Sequence, residues 1–242
     1  MYPLLFVTAA ALAPAATGAP SAADSGPLQD ATPYTFKYEH RYKRKSKKHK
    51  DKLAISRGFA NGIELGIEEI LTPRKQSDGS PGHAYKHLRH HETKFVFAYK
   101  HKLSPRVAIK PKLRLELKKH ETTYREAIKL PIKLTQHLKL EPGFEYRGTH
   151  YDASGRGKKS RTEPSIQLAW TIGDFKLELR RKQIFSNRII YNNKKHDYQN
   201  RLAVKYAMTD NFTPYVDVRD VSVDSTSDRR QAEIRTGFSY AF

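Results

Sequence analysis

Residues 107–118 read Val-Ala-Ile-Lys-Pro-Lys-Leu-Arg-Leu-Glu-Leu-Lys. In a strand, successive side chains point to opposite faces. Val107, Ile109, Pro111, Leu113, Leu115 and Leu117 therefore share one face. Ala108, Lys110, Lys112, Arg114, Glu116 and Lys118 share the other. The first face suits hydrocarbon and the second suits water. The pattern recurs along most of the chain in segments of about ten residues, the period of a transmembrane β-barrel.

Twelve segments carry it, which predicts an all-β, antiparallel transmembrane barrel of about twelve strands, with short periplasmic turns and longer extracellular loops. The expected strands are 34–43, 52–60, 63–71, 92–101, 107–118, 124–134, 138–150, 162–172, 175–185, 197–208, 212–223 and 231–242. Asn61-Gly62 marks a tight hairpin, since both residues tolerate positive φ. Tight turns are also expected near Ser104, Gln136, Gly173 and Asp210. Longer connections are expected at 44–51, 72–91, 119–123, 152–161, 186–196 and 225–229, rich in Lys, His, Ser and Asp. An even strand count leaves both ends of the barrel on the short-turn side. Glu126 falls on an otherwise apolar face, a position expected at the membrane edge.

Composition fits this reading. Charged residues make up 29% of the 242, hydrophobic residues 38%, and no apolar run reaches the length of a spanning helix. The mean hydropathy of −0.75 would suggest a water-soluble chain, but polar lumen residues cancel apolar wall residues in any average. With no cysteine, the fold must be held by its ladder and its burial. Residues 1–23 read as a signal peptide, with an apolar stretch from Leu4 to Ala16 and small residues at Ala19, Ser21 and Ala23. Residues 24–32 read as a short linker and 33–242 as the barrel. Aromatics gather at strand ends (Tyr34, Phe36, Trp170, Phe175, Tyr206, Phe212, Tyr240), as in an interfacial girdle. Phe238, Tyr240 and Phe242 alternate to the end of the sequence and resemble the signature read by the outer-membrane assembly machinery.

The net charge is +20, from 45 Lys and Arg against 25 Asp and Glu. Such an excess calls for an anionic partner. The candidate lumen path is Lys37, Arg41, Lys94, Lys110, Lys112, Arg114, Arg125, Lys129, Lys133, Arg147, Lys176, Arg180, Arg201, Lys205, Arg219 and Arg235, with Lys100, Lys139 and Lys182 on the same faces. Against these stand Glu39, Glu64, Glu68, Glu116, Glu141, Glu145, Glu178, Asp217 and Glu233. Arg grips carboxylate bidentately, whereas Lys is a mobile point charge. Weak sites in series allow both entry and exit. Tyr215 is the main inward aromatic, so the stacking rails suited to neutral sugars are missing.

The basic run 43–50 (Lys-Arg-Lys-Ser-Lys-Lys-His-Lys) could neutralise nucleic-acid phosphates, but in a barrel it is an outer loop facing lipopolysaccharide. No nucleic-acid partner is expected. The eleven histidines show no clean ligand spacing, and no nucleophile or carboxylate pair stands out. No metal, cofactor or catalysis is therefore expected. The competing reading is a barrel whose charges pair and fill the lumen, serving as a structural protein or a rim-site enzyme.

Four stretches carry a family resemblance: Tyr38-Glu-His-Arg-Tyr42, Leu53-Ala-Ile-Ser-Arg-Gly-Phe-Ala-Asn-Gly-Ile63, Thr213-Pro-Tyr-Val-Asp-Val-Arg-Asp-Val-Ser-Val223 and Gly237-Phe-Ser-Tyr-Ala-Phe242. They resemble the oligogalacturonate and sialic-acid porins of the KdgM/NanC type. The resemblance implies a monomeric outer-membrane barrel of about twelve strands. It also implies passage of acidic oligosaccharides along basic tracks, with Lys37, Arg41, Arg219 and Arg235 at matching positions; with the basic lumen, the expected mode is passive, anion-selective diffusion. The lysine-rich loops and Glu126 depart from the pattern and leave the particular acidic sugar open.

Overall fold

The computed structural model describes residues 33–153 and 157–242. Every regular element among them is a strand: β1 Tyr34–Lys43, β2 Lys48–Gly58, β3 Ile63–Pro73, β4 Leu88–Tyr99, β5 His101–Lys102, β6 Ala108–Lys118, β7 Glu121–Lys129, β8 Ile132–Lys133, β9 Leu138–Tyr151, β10 Lys159–Thr162, β11 Ser165–Ile172, β12 Phe175–Ser186, β13 His196–Tyr206, β14 Phe212–Ser222 and β15 Arg230–Ala241. β5, β8 and β10 are short pieces of the staves formed by β4, β7 and β11, so the fifteen segments make twelve staves. Each stave pairs antiparallel with its sequence neighbours, and β1 pairs with β15 from Thr35↔Ala241 to Lys43↔Glu233. The ring is therefore closed and has no free edge, as a membrane demands of a sheet. The proposed signal and linker, 1–32, lie outside the described residues.

Alternation decides which way each side chain faces. Phe95, Phe97, Leu113, Ile166 and Trp170 stand on the outer wall, each close to half exposed. The interior holds charged residues and small ones, with Ala98 and Ala203 fully covered. Tyr34 stacks on Phe242 (6.0 Å between ring centres) and Phe175 on Tyr206 (4.8 Å), both at the short-turn end.

Several boundaries differ from expectation. β2 starts at Lys48 rather than Lys52, because Lys48 and Lys50 pair with Lys43 and Arg41. Loop 44–51 thus shrinks to residues 44–47, and loop 119–123 to residues 119–120. At Asn61-Gly62 only Gly62 takes positive φ (89°). Its N–H donates to the Phe59 carbonyl (2.9 Å), a turn closed by one left-handed glycine. The sixth stave breaks at Leu130-Pro131, since Pro131 has no N–H to donate. At Glu163-Pro164, in contrast, the register runs through: Thr162 faces Tyr146 and Ser165 faces Gly143.

Loop 72–91 is shorter than expected and folds outside the wall. β3 extends to Pro73 and β4 begins at Leu88, with a bulge opposite Ile70 and Leu71. Tyr85 of this loop packs on His40 (4.7 Å between ring centres), an outward residue between inward Glu39 and Arg41. Beneath lies Asp51, outward yet 2% exposed. It accepts from the Tyr38 hydroxyl at 2.7 Å and lies 2.8 Å from His40 Nδ1. Glu69, also outward, accepts from Thr93 Oγ1 and contacts His90 (3.0 Å). Glu126 does not sit at an edge. It lies midway along β7, exposed, between Leu113 and Tyr146.

Closure of the seam depends on Gly237. A Cβ there would lie 2.2 Å from the Tyr38 carbonyl oxygen and 2.8 Å from Tyr215 Oη. Gly237→Ala is expected to destabilise the barrel by about 2 kcal/mol or more, read as a lower unfolding temperature of the detergent-solubilised protein. Gly66→Ala, whose nearest contact would be 3.1 Å from the Ser56 side chain, should cost less.

Candidate functional site: a charged lumen

The inner faces of the staves enclose a cavity of about 550 Å³. Ten of the residues predicted from the sequence line it: Arg41, Lys94, Lys112, Arg114, Arg125, Lys129, Arg147, Arg180, Arg219 and Arg235. Arg201, Lys176 and Lys205 gather around Glu178, at 3.2, 3.4 and 2.7 Å. Lys37 lies over the ring of Tyr215, 4.7 Å from its centre. Lys110 pairs with Glu64 at 3.1 Å. Lys133 lies apart from the others, exposed on β8 next to the 134–137 turn.

Arginines stand directly opposite one another across the ladder. Arg114 faces Arg125, Arg125 faces Arg147, and Arg147 faces Arg161. A second row runs Arg180, Arg201, Arg219, and a third pairs Arg41 with Arg235. Neighbouring strands are about 4.8 Å apart, and like charges so placed destabilise a sheet. With staves tilted by about 40°, the first row climbs as it passes from mid-β6 to the loop end of β10. Lysine takes over towards the short turns, at Lys37, Lys110, Lys112, Lys129, Lys176 and Lys205.

Buried carboxylates, with the half-buried Glu145, hold these rows together, and each is shared. Glu39 meets Arg41 (2.6 Å), Arg235 (3.4 Å) and Lys52 (3.7 Å), and accepts from the Tyr215 hydroxyl at 2.8 Å. Glu116 meets Arg125 (2.8 Å), Lys94 (3.3 Å) and Arg114 (3.8 Å). Asp217 bridges Arg201 (2.7 Å) and Arg219 (2.9 Å). Glu145 takes Arg125 and, more loosely, Arg147 (3.7 Å). Glu163 takes Lys182 and Arg147 (3.8 Å).

The cations outnumber these partners. Lys112, Arg161 and Arg180 line the cavity with no ion-pair or hydrogen-bond partner among the described residues. The Nε atoms of Arg114, Arg147 and Arg161 are buried and donate to nothing. A buried donor without an acceptor is costly, so these groups suit an incoming anion. Next to them, Lys118, Tyr151, Lys159 and Arg161 line a vestibule of about 240 Å³ at the long-loop end. Among the described residues, no cluster of His, Asp and Glu is arranged to hold a metal.

The sequence reading missed Lys52, Arg161 and Glu163. Lys52 alternates with Ala54 and Ser56 opposite Leu53 and Ile55, so its side was legible once β2 is begun earlier. Glu163 alternates in the same way with Ser165 and Gln167. Arg161 falls at the end of the connection expected at 152–161, and β10 takes it into the sheet opposite Arg147.

The comparisons agree with this geometry. A family model described as oligogalacturonate-specific porin protein (KdgM) matches residues 29–242. The oligogalacturonate-specific porin KdgM of Dickeya dadantii (strain 3937) is 28% identical over 205 residues, covering 80% of this chain and 85% of that protein. A solved NanC porin superposes with a TM-score of 0.70 at 18% identity, covering 86% of this chain and 100% of that one. A KdgM porin in complex with disordered oligogalacturonate superposes with a TM-score of 0.61 at 22% identity, covering 86% and 99%.

Removing a shared carboxylate should cost more than removing an ordinary surface charge. Glu39→Gln would leave Arg41, Arg235 and Lys52 without their common counter-ion, a loss of about 3 kcal/mol. The measurement is thermal unfolding in detergent, with Glu39→Asp expected to retain most of the stability.

Proposed function

Since the chain belongs to the oligogalacturonate-specific porin (KdgM) family and is an outer-membrane porin, we propose that it passes acidic, uronic-acid-type oligosaccharides by passive, anion-selective diffusion. The observation that carries this reading is the set of arginines in register whose charge the lumen carboxylates do not fully meet. Like charges stacked across a ladder weaken the fold, so their presence in three rows calls for a functional return. A polyanion supplies one: each carboxylate can take a guanidinium fork in bidentate geometry. The narrow, low-dielectric wall strengthens the potential. Grip is strongest at mid-wall, where arginine dominates, and relaxes towards the lysines of the short-turn end. A pore needs that gradient, because a ligand held too tightly does not leave.

In the same proposal residues 1–23 are the export signal, the barrel acts as a monomer, and Arg44, Lys45 and Lys47 of the first outer turn meet lipopolysaccharide phosphates. The chain acts as a channel and not as an enzyme, like the porins it resembles.

Planar-bilayer recording tests the reading. Under a KCl gradient the reversal potential should lie on the anion side, and oligogalacturonate should block the current in a concentration-dependent way. The double variant Arg147→Gln/Arg161→Gln should raise the blocking concentration about tenfold, the loss of roughly one charge-assisted contact. A pore indifferent to charge, or no conductance, would favour the filled barrel instead.

A further inference from the structure

The short-turn rim of the barrel is basic over two neighbouring turns only. Turns 100–107 and 130–138 contain Lys100, Lys102, Arg106 and Lys133, with no Asp or Glu. All four cations are exposed, and none has an ion-pair partner among the described residues. Further round the ring, turn 173–174, which adjoins 130–138, and turn 207–211 carry Asp174 and Asp210 and no Lys or Arg.

The basic side is built as one piece. Val107 bridges to Ile132, the Lys133 N–H donates to the Arg106 carbonyl (2.7 Å), and the Ala108 N–H donates to the Pro131 carbonyl (3.0 Å). β5 pairs with β6 and β8 with β9, so both turns continue the sheet below the wall. Ser104 Oγ accepts from the Val107 N–H (3.0 Å), and Thr135 Oγ1 from the Leu138 N–H (3.0 Å). The ladder puts Lys102 opposite Ala108 and Lys133 opposite Lys139, the alternation of the inner face.

We propose that this one-sided lip is an exit subsite for the acidic oligosaccharide, an inference that rests on the function proposed above. A chain leaving the lysine-lined third of the lumen meets Lys102, Arg106 and Lys133 on two neighbouring turns and the carboxylates Asp174 and Asp210 on the next two round the ring. It is drawn away from those carboxylates and leaves along the β4–β9 side. Exposed cationic groups attract weakly in water and strongly only at low salt. The lip therefore collects and releases without trapping. Its effect falls on association from the short-turn side, because steering by exposed charge acts on the on-rate.

The experiment is single-channel block by oligogalacturonate added to one chamber at a time, with orientation assigned by protease cleavage of loop 74–87 from one chamber. Wild type is compared with Lys102→Gln/Arg106→Gln/Lys133→Gln and with Asp174→Asn/Asp210→Asn. The first variant should lower the block on-rate from the short-turn side about threefold or more at low salt, and leave that from the loop side unchanged. The second should raise the short-turn on-rate. Block that persists with unchanged short-turn on-rates in both variants would overturn the exit subsite and leave the channel reading intact. A wild-type pore that no oligogalacturonate blocks from either side would overturn the channel reading, and the subsite with it.

Discussion

Inside a hydrocarbon layer, a peptide group without a hydrogen-bond partner costs several kcal/mol, and no water is at hand to relieve it. A sheet survives there only if its first and last strands meet. In this chain β1 and β15 meet over nine residue pairs, from Thr35↔Ala241 to Lys43↔Glu233. The same seam carries Gly237 against the Tyr215 hydroxyl, Glu39 between Arg41 and Arg235, and the Tyr34–Phe242 stack. Backbone closure, lumen charge and membrane anchoring thus share one place in the ladder. Nothing larger than hydrogen at residue 237 fits there without moving backbone.

Once the ring is closed, the strand period forces the charges inward. A polar residue every second position then has to live within a few ångströms of like charges on the neighbouring staves. The structure answers with carboxylates that each serve two or three cations, such as Glu39, Glu116 and Glu178. An interior of paired charges could have been neutral. Here the pairing stops short at Lys112, Arg161 and Arg180, which line the cavity without an ion-pair partner among the described residues.

Much of this was legible in the sequence because period-2 alternation is a strict geometric rule. Lys110, Lys112, Arg114 and Glu116 could be placed on one face from the Val107–Lys118 stretch alone. The parts that were not legible depend on contacts between distant segments. The outer ends of β2 and β7 are polar on both faces, so alternation gave no stopping point, and pairing across the ladder set it instead. Asp51 and Glu69 break the apolar outer wall. What makes them tolerable is a partner brought from elsewhere: Tyr38 and His40 for one, Thr93 and His90 for the other. Glu126 has no such partner among the described residues, and nothing in the structure explains it. The face-to-face arginines were also hidden, because which arginine opposes which depends on register, and register depends on where each turn closes.

Loop 74–87 is fastened by Tyr85 to the outside of the wall, and none of its residues lines the lumen cavity. The part of the molecule most open to insertion is thereby uncoupled from the bore. A change in its length or composition leaves the width of the passage as the twelve staves set it. The outer coat and the conduit are in this sense two mechanically independent parts of one short chain.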